Sequence, residues 1–189
     1  WKEQRHMTST GAGRVSVLDY IPAAEHAAIR SYTSTYDCQS AFAAAWAANG
    51  NKGIFIPDGG YRLASSWVLD RISGQPGEVT GESTFGAKLL PDNGITAIRF
   101  TSAQIYSSVS LRNFTIRHDL AHTSGGGIHS ASGVLLFDCE WSDIQIDSHG
   151  VPLFIGAHFT HKLARITCRS LTDCFVIFGG NTVMLDNCY

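Results

Sequence analysis

Two carboxylates, Asp138 and Glu140, stand two residues apart in a stretch of strand-forming sequence. On one extended strand they would share a face at about 7 Å. At that separation one can protonate a glycosidic oxygen while the other activates water, which is inverting hydrolysis. Three further charges, Arg117, Asp147 and Arg169, recur at steps of 30 and 22 residues. Arginine matches carboxylate geometry, so this set, with Lys162 nearby, suits binding of an acidic sugar. Elimination on a uronate would instead need a base and a neutralised carboxylate. Arg117, His118 and Lys162 are of the types that supply those roles. The plainer readings are structural. Glu140 and Lys162 can form a cross-strand ion pair, and Asp138 can merely solvate a surface. Arg117–Asp147–Arg169 can be a charge ladder of small surface worth.

Other motifs point away from metal and nucleotide chemistry. His118 and His122 are four apart, but Asp-Leu-Ala between them lacks the glutamate of a zinc-binding helix. His158 and His161 read as strand residues. The five cysteines form no Cys-x-x-Cys pair, and their odd number argues against a complete disulfide framework. Gly125-Gly126-Gly127 opens no helix and reads as a turn. No metal and no cofactor is expected. A net charge of −2 implies no nucleic-acid surface, and no apolar run is long enough to cross a membrane as a helix. Trp67, Tyr61 and Tyr106 could stack on sugars if exposed, although aromatics of such a sequence more often fill a core.

These residues must be positioned by a repeat. Val109–Ile116, Cys139–Ile146, His161–Cys168 and Val183–Tyr189 share the pattern apolar-x-apolar-x-polar-apolar. The polar pivot falls at Asn113, Asp143, Arg165 and Asn187. Alternation with period two on each side of the pivot means strand. The phase slip at the pivot means a bend, and Asn and Asp tolerate the left-handed backbone of a bend. Second apolar runs, at Gly127-Ile128, Pro152–Gly156 and Phe175–Gly179, complete each turn. One turn cannot bury its own apolar side, whereas stacked turns share a continuous core. The pattern predicts a parallel β-helix, with Phe114, Ile144, Ile166 and Cys188 in one interior file.

The chain has 189 residues, 44% of them apolar and 16% charged, which suits one folded domain. Residues 1–14 read as a lead-in, and the polar N-terminus does not read as a signal peptide. Residues 15–52 read as an opening strand over Val15–Tyr20, a short helix behind Pro22, and a helix over Cys38–Asn49 with Asp37 as its N-cap. Phe42 and Trp46 share a face of that helix and are expected to plug the open end of the stack. Residues 53–189 read as coils. Tyr189 falls inside a repeat, which predicts further coils beyond it.

The residues Val15–Pro22, Glu25–Ile29 and Thr33–Cys38 together resemble the opening segment of bacteriophage tailspike depolymerases. Gly53-Ile54-Phe55-Ile56-Pro57-Asp58-Gly59-Gly60-Tyr61-Arg62-Leu63, followed by Gly81-Glu82, resembles the wider pectate-lyase-like superfamily. The resemblance implies an all-β fold, a right-handed single-stranded parallel β-helix with a short N-terminal helical cap. It also implies a homotrimeric spike that binds and degrades bacterial surface polysaccharide, capsular or exopolysaccharide, as a glycosidase or a polysaccharide lyase. Such a spike is assembled in the bacterial host cytoplasm, with its cysteines reduced, and is carried on the virion tail by an upstream domain. A non-catalytic receptor-binding adhesin of the phage tail and a cellular pectate-lyase-like enzyme are the rival readings.

Overall fold

The computed structural model describes residues 14–50, 52–69, 77–100, 105–131, 134–177, 179 and 182–189. Every strand pairing in it is parallel, and the strands form three sheets. The first sheet runs through Val15–Ser16, Gly53–Ile56, Gly77–Gly81, Val109–Arg117, Glu140–Asp147, His161–Arg169 and Val183–Asp186. The second stacks Trp67–Val68, Ile98–Phe100, Ile128–Ser130, Leu153–Ile155 and Phe175–Ile177. The third stacks Ile105–Ser107, Leu135–Phe137 and Ala157–Phe159. The all-β parallel β-helix read from the repeat is therefore the fold of the chain.

The repeat positions the bends. Asn113, Asp143, Arg165 and Asn187 all have positive φ, between 50° and 60°. A non-glycine residue there costs roughly 1–2 kcal/mol, so the ladder on either side must hold it. On both sides of the bend the register is unbroken: Leu111, Trp141 and Leu163 are partners, as are Phe114, Ile144 and Ile166. All six are buried. The pairing continues past Asp186, because Tyr189 N donates to Ile166 O and Cys168 N donates to Tyr189 O. Cys188 thereby falls opposite Ile166, half-buried against the core, and the interior file is complete.

A second bend column was not expected. Ser108, Asp138 and Thr160 also have positive φ, 48° to 54°. Asp138 thus lies in the bend between Leu135–Phe137 and Glu140–Asp147 rather than on one strand with Glu140. In the two earlier coils the first bend is replaced by loops. Thr80 pairs with Arg112 and Lys88 with Thr115, so residues 81–87 stand where a later coil has only Asn113 and Phe114. Gly81 must be glycine, since a Cβ there would lie 1.8 Å from Asn113 O.

The helix Gln39–Ala48 caps the stack. Asp37 Oδ1 accepts from Gln39 N at 3.1 Å and from Ala64 N at 3.1 Å, tying the helix start to the first coil. Phe42 meets Tyr61 edge-on at 5.6 Å and Trp67 at 5.0 Å, and Trp46 meets Trp67 at 6.2 Å. Two expectations change here. Of the predicted strand over Val15–Tyr20 only Val15–Ser16 is extended; Val17–Tyr20 is a 3₁₀ turn whose Leu18 N is capped by Ser16 Oγ. Residues 1–13 of the lead-in lie outside the described residues, but Arg14 is anchored, donating to Glu78 at 2.6 Å.

The cap is expected to hold the stack closed. Phe42→Ala should cost about 3–5 kcal/mol, the usual range for an aromatic lost from a core. Urea denaturation checks this; a loss below about 1 kcal/mol would mean the helix is only peripheral.

Candidate functional site

Past Arg117, Asp147 and Arg169 the backbone ladder runs one residue further. His118 N donates to Asp147 O at 2.9 Å, and Ser148 N donates to Arg169 O at 3.0 Å. The loop after His118 then folds back. Asp119 Oδ1 accepts from Ala121 N at 2.8 Å, and Asn93 Oδ1 accepts from Thr123 N at 3.0 Å and Ser124 N at 3.1 Å. Gly125, at φ +124°, lies so close to His118 that a Cβ would sit 2.2 Å from its ring. Two cavities of about 460 and 440 Å³ open beside this loop and share Arg117, His118 and Leu120. Tyr32, Lys88 and His122 line the first; Asp147, His149 and Arg169 line the second. Together they form a groove along the C-terminal ends of the long strands.

The expected charge ladder exists. Asp147 is the partner of both Arg117 and Arg169 in the sheet register. It is a loose ladder, however. Arg169 Nε is 3.9 Å from Asp147 Oδ1, and Arg169 is 73% exposed. Gln145 holds the other oxygen, donating to Asp147 Oδ2 at 2.7 Å. Among the described residues Arg117 has no carboxylate within ion-pair distance. Both arginines can therefore turn to an anionic ligand at small cost.

Three histidines meet at the floor. The His118 ring lies edge-on to His122 at 5.7 Å and to His149 at 6.4 Å. His118 Nε2 is 3.2 Å from Gly126 O and His149 Nε2 is 2.9 Å from Asp119 O. A carbonyl can only accept, so Nε2 of both rings donates. The Nδ1 atoms of His118 and His149, with His122 Nδ1 and Asp147 Oδ1, are buried without a hydrogen-bond partner. Buried polar atoms without partners are uncommon in folded proteins. Burial pushes the His118 imidazole below its ordinary range, and the neighbouring His122 and His149 push it the same way. His118 is thus a neutral base at neutral pH.

The remaining candidates lie elsewhere. Glu140 and Lys162 are partners in the register, and Lys162 Nζ donates to Glu140 at 2.9 Å in an exposed pair. Asp138 is exposed at its bend, and neither Asp138, Glu140 nor Lys162 lines the groove. Tyr61, Trp67 and Tyr106 are buried in the core and present no face to a sugar. Among the described residues no group of three or more His, Cys, Asp or Glu is arranged to hold a metal ion. All five cysteines are free, and burial raises Cys38 and Cys168 to about 12, so both are inert thiols.

No protein-family model matches the chain, and no curated protein matches its sequence. Among solved structures the chain is similar to the A-module of the mannuronan C-5 epimerase AlgE4 of Azotobacter vinelandii, at 14% identity and a TM-score of 0.49. That match covers 89% of this chain and 59% of the epimerase module. The chain is also similar to the catalytic domain of Agl-KA, at 16% identity and a TM-score of 0.39, covering 92% of this chain and 44% of that domain. It therefore spans less than two thirds of the length of either.

Sequence reasoning singled out His118 and His122 but missed His149. The signal was available: Asp119 and His149 are separated by the same 30-residue step as Asn113 and Asp143. Tyr32 and Lys88 carried no such signal, because they come from segments outside the repeat. They meet across the first cavity, with Lys88 Nζ 4.6 Å from the centre of the Tyr32 ring.

His161 belongs to the core rather than the groove. It is fully buried, edge-on to Trp141 at 4.4 Å, with neither ring nitrogen bonded. Burial first, then His158, pushes it down to about 3. The folded chain therefore binds fewer protons than the unfolded chain below the ordinary histidine value of about 6.5. Stability from this residue is full above that value and is lost as pH falls toward 3. Between pH 7 and pH 4 the loss should be on the order of 3 kcal/mol, and His161→Leu should flatten that part of the curve. Denaturation at the two pH values checks it; parallel curves for both proteins would contradict it.

Proposed function

We propose that this chain belongs to a polysaccharide-degrading β-helix that takes an acidic sugar polymer into the groove and cleaves it by β-elimination. The observation that carries this reading is the neutral imidazole of His118, which lines both cavities beside Arg117, with a loosely held Arg169 in the second. In the reaction Arg117 and Arg169 hold the uronate carboxylate, which acidifies the adjacent C5 proton. A groove imidazole takes that proton, the C4–O bond breaks, a C4–C5 double bond forms, and the imidazolium so formed returns a proton to the leaving oxygen. Hydrolysis would need two carboxylates flanking the bond. The groove has Asp147 and Asp119, but Asp147 is engaged by Gln145 and Asp119 caps its own loop. Asp138 and Glu140 lie outside it. On the resemblance of its N-terminal segments, the chain is part of a homotrimeric phage tailspike acting on bacterial capsule or exopolysaccharide, assembled in the host cytoplasm and carried on the virion tail.

Incubation with purified capsular and uronate-containing polysaccharides tests this. Shortened chains bearing the ultraviolet absorbance of an unsaturated uronate are expected. Arg169→Ala should weaken binding about tenfold or more, and His118→Gln should cut turnover by roughly 100-fold or more. Asp138→Asn and Glu140→Gln should leave both unchanged. New reducing ends without that absorbance, abolished in either of the last two variants, would return the chemistry to the Asp138–Glu140 pair as hydrolysis. Binding without shortening would favour the adhesin.

A further inference from the structure

Tyr61, Trp67, Phe100, Tyr106, Phe114 and Trp141 fill the core and are all fully buried. Phe85 is 72% exposed. It sits on residues 82–86, the loop that replaces a bend, and that loop is tightly pinned. Ser83 Oγ donates to Asp58 at 2.9 Å and accepts from Gly86 N at 3.0 Å. Tyr32 OH donates to Gly86 O at 2.8 Å, Thr115 Oγ1 to Thr84 O at 2.6 Å, and Thr84 Oγ1 to Asp143 O at 3.2 Å. The backbone that carries the exposed ring is thus fixed beside the bend at Asp143.

Opposite it the bends at Asp143 and Arg165 form a flat bidentate pair, Nε to Oδ1 at 2.6 Å and the terminal nitrogen to Oδ2 at 2.7 Å. Phe85, this pair, Gln145 and Thr167 enclose a cavity of about 220 Å³. Its charges cancel, so it offers an apolar ring face on one side and neutralised hydrogen-bonding groups on the other. That chemistry fits an uncharged pyranose: its C–H face lies on the electron-rich ring, and its hydroxyls meet planar polar groups that fix orientation. Gln145 lines both this cavity and the groove. Asp143 and Asp147 are four residues apart on one strand, roughly 13 Å, far enough for separate sugar units of one polymer.

We propose that the cavity between Phe85 and the Asp143–Arg165 pair is a second carbohydrate subsite, which stacks a neutral sugar ring of the polymer whose uronate lies between Arg117 and Arg169. The identity of that polymer rests on the function proposed above; the existence of the subsite does not.

Nuclear magnetic resonance of the labelled full chain tests it, with trisaccharides of glucose and of galactose as neutral probes and trigalacturonate as the acidic one. The expected result is that a neutral trisaccharide shifts the signals of Phe85, Arg165 and Thr167. Affinity should fall at least tenfold in Phe85→Ala, persist in Phe85→Tyr, and be unaffected by Arg169→Ala. Such shifts with no response of the groove to trigalacturonate would keep the subsite and remove the uronate groove. Shifts confined to Arg117, His118 and Arg169 would overturn the subsite and keep the groove. No shift at Phe85 with any probe, or a change in sedimentation showing that Phe85→Ala breaks contacts between copies of the chain, would also overturn it.

Discussion

The bends depend on the ladders beside them. A parallel coil of this kind can stack only if each rung turns at the same place, and the rungs here turn at residues held with positive φ. Single Asn, Asp or Arg residues occupy those positions at some conformational cost. What holds them is the unbroken register on either side, from Leu111–Trp141–Leu163 across the bend to Phe114–Ile144–Ile166. Once the turns coincide, every outward side chain has a neighbour one strand spacing away. Chemistry on such a surface is then a matter of columns, not of single loops.

That constraint explains where the groove lies. The long strands end together at Arg117, Asp147 and Arg169, and the ladder carries His118 and Ser148 one step beyond. The loops that follow have different lengths, so the regular surface gives way to a recess there. Loops from the first coils supply its far wall through Tyr32 and Lys88. The recess combines two loosely held arginines with the neutral imidazole of His118. At the bend itself the same stacking brings Asp143 and Arg165 together, because opposite charges in one column of the first sheet are adjacent by construction.

Much of this could be read from residue order. The repeat of Asn113, Asp143, Arg165 and Asn187 fixed the rungs, and through them the charge columns that end the long strands. The missed bend at Asp138 was also encoded. Buried residues step by three from Leu136 to Cys139, by two to Trp141, and by three again to Ile144. Each step of three marks a left-handed residue, but only the second was read as one, which is why Asp138 and Glu140 were placed on a common strand. The contributions of Tyr32, Lys88 and Phe85 were not legible. They arise from loops that lie outside the periodic part, and only the folded chain shows which rung those loops lean on. The histidine cluster falls between these cases, since His149 follows the repeat step while His122 reaches the floor through an irregular loop.

The most direct test is a crystal structure of the protein with a bound uronate hexasaccharide. The account predicts a carboxylate held between Arg117 and Arg169, with the sugar's C5 hydrogen directed at the imidazoles of His118 and His149. A saccharide lying instead over Asp138 and Glu140, with the groove unoccupied, would contradict it.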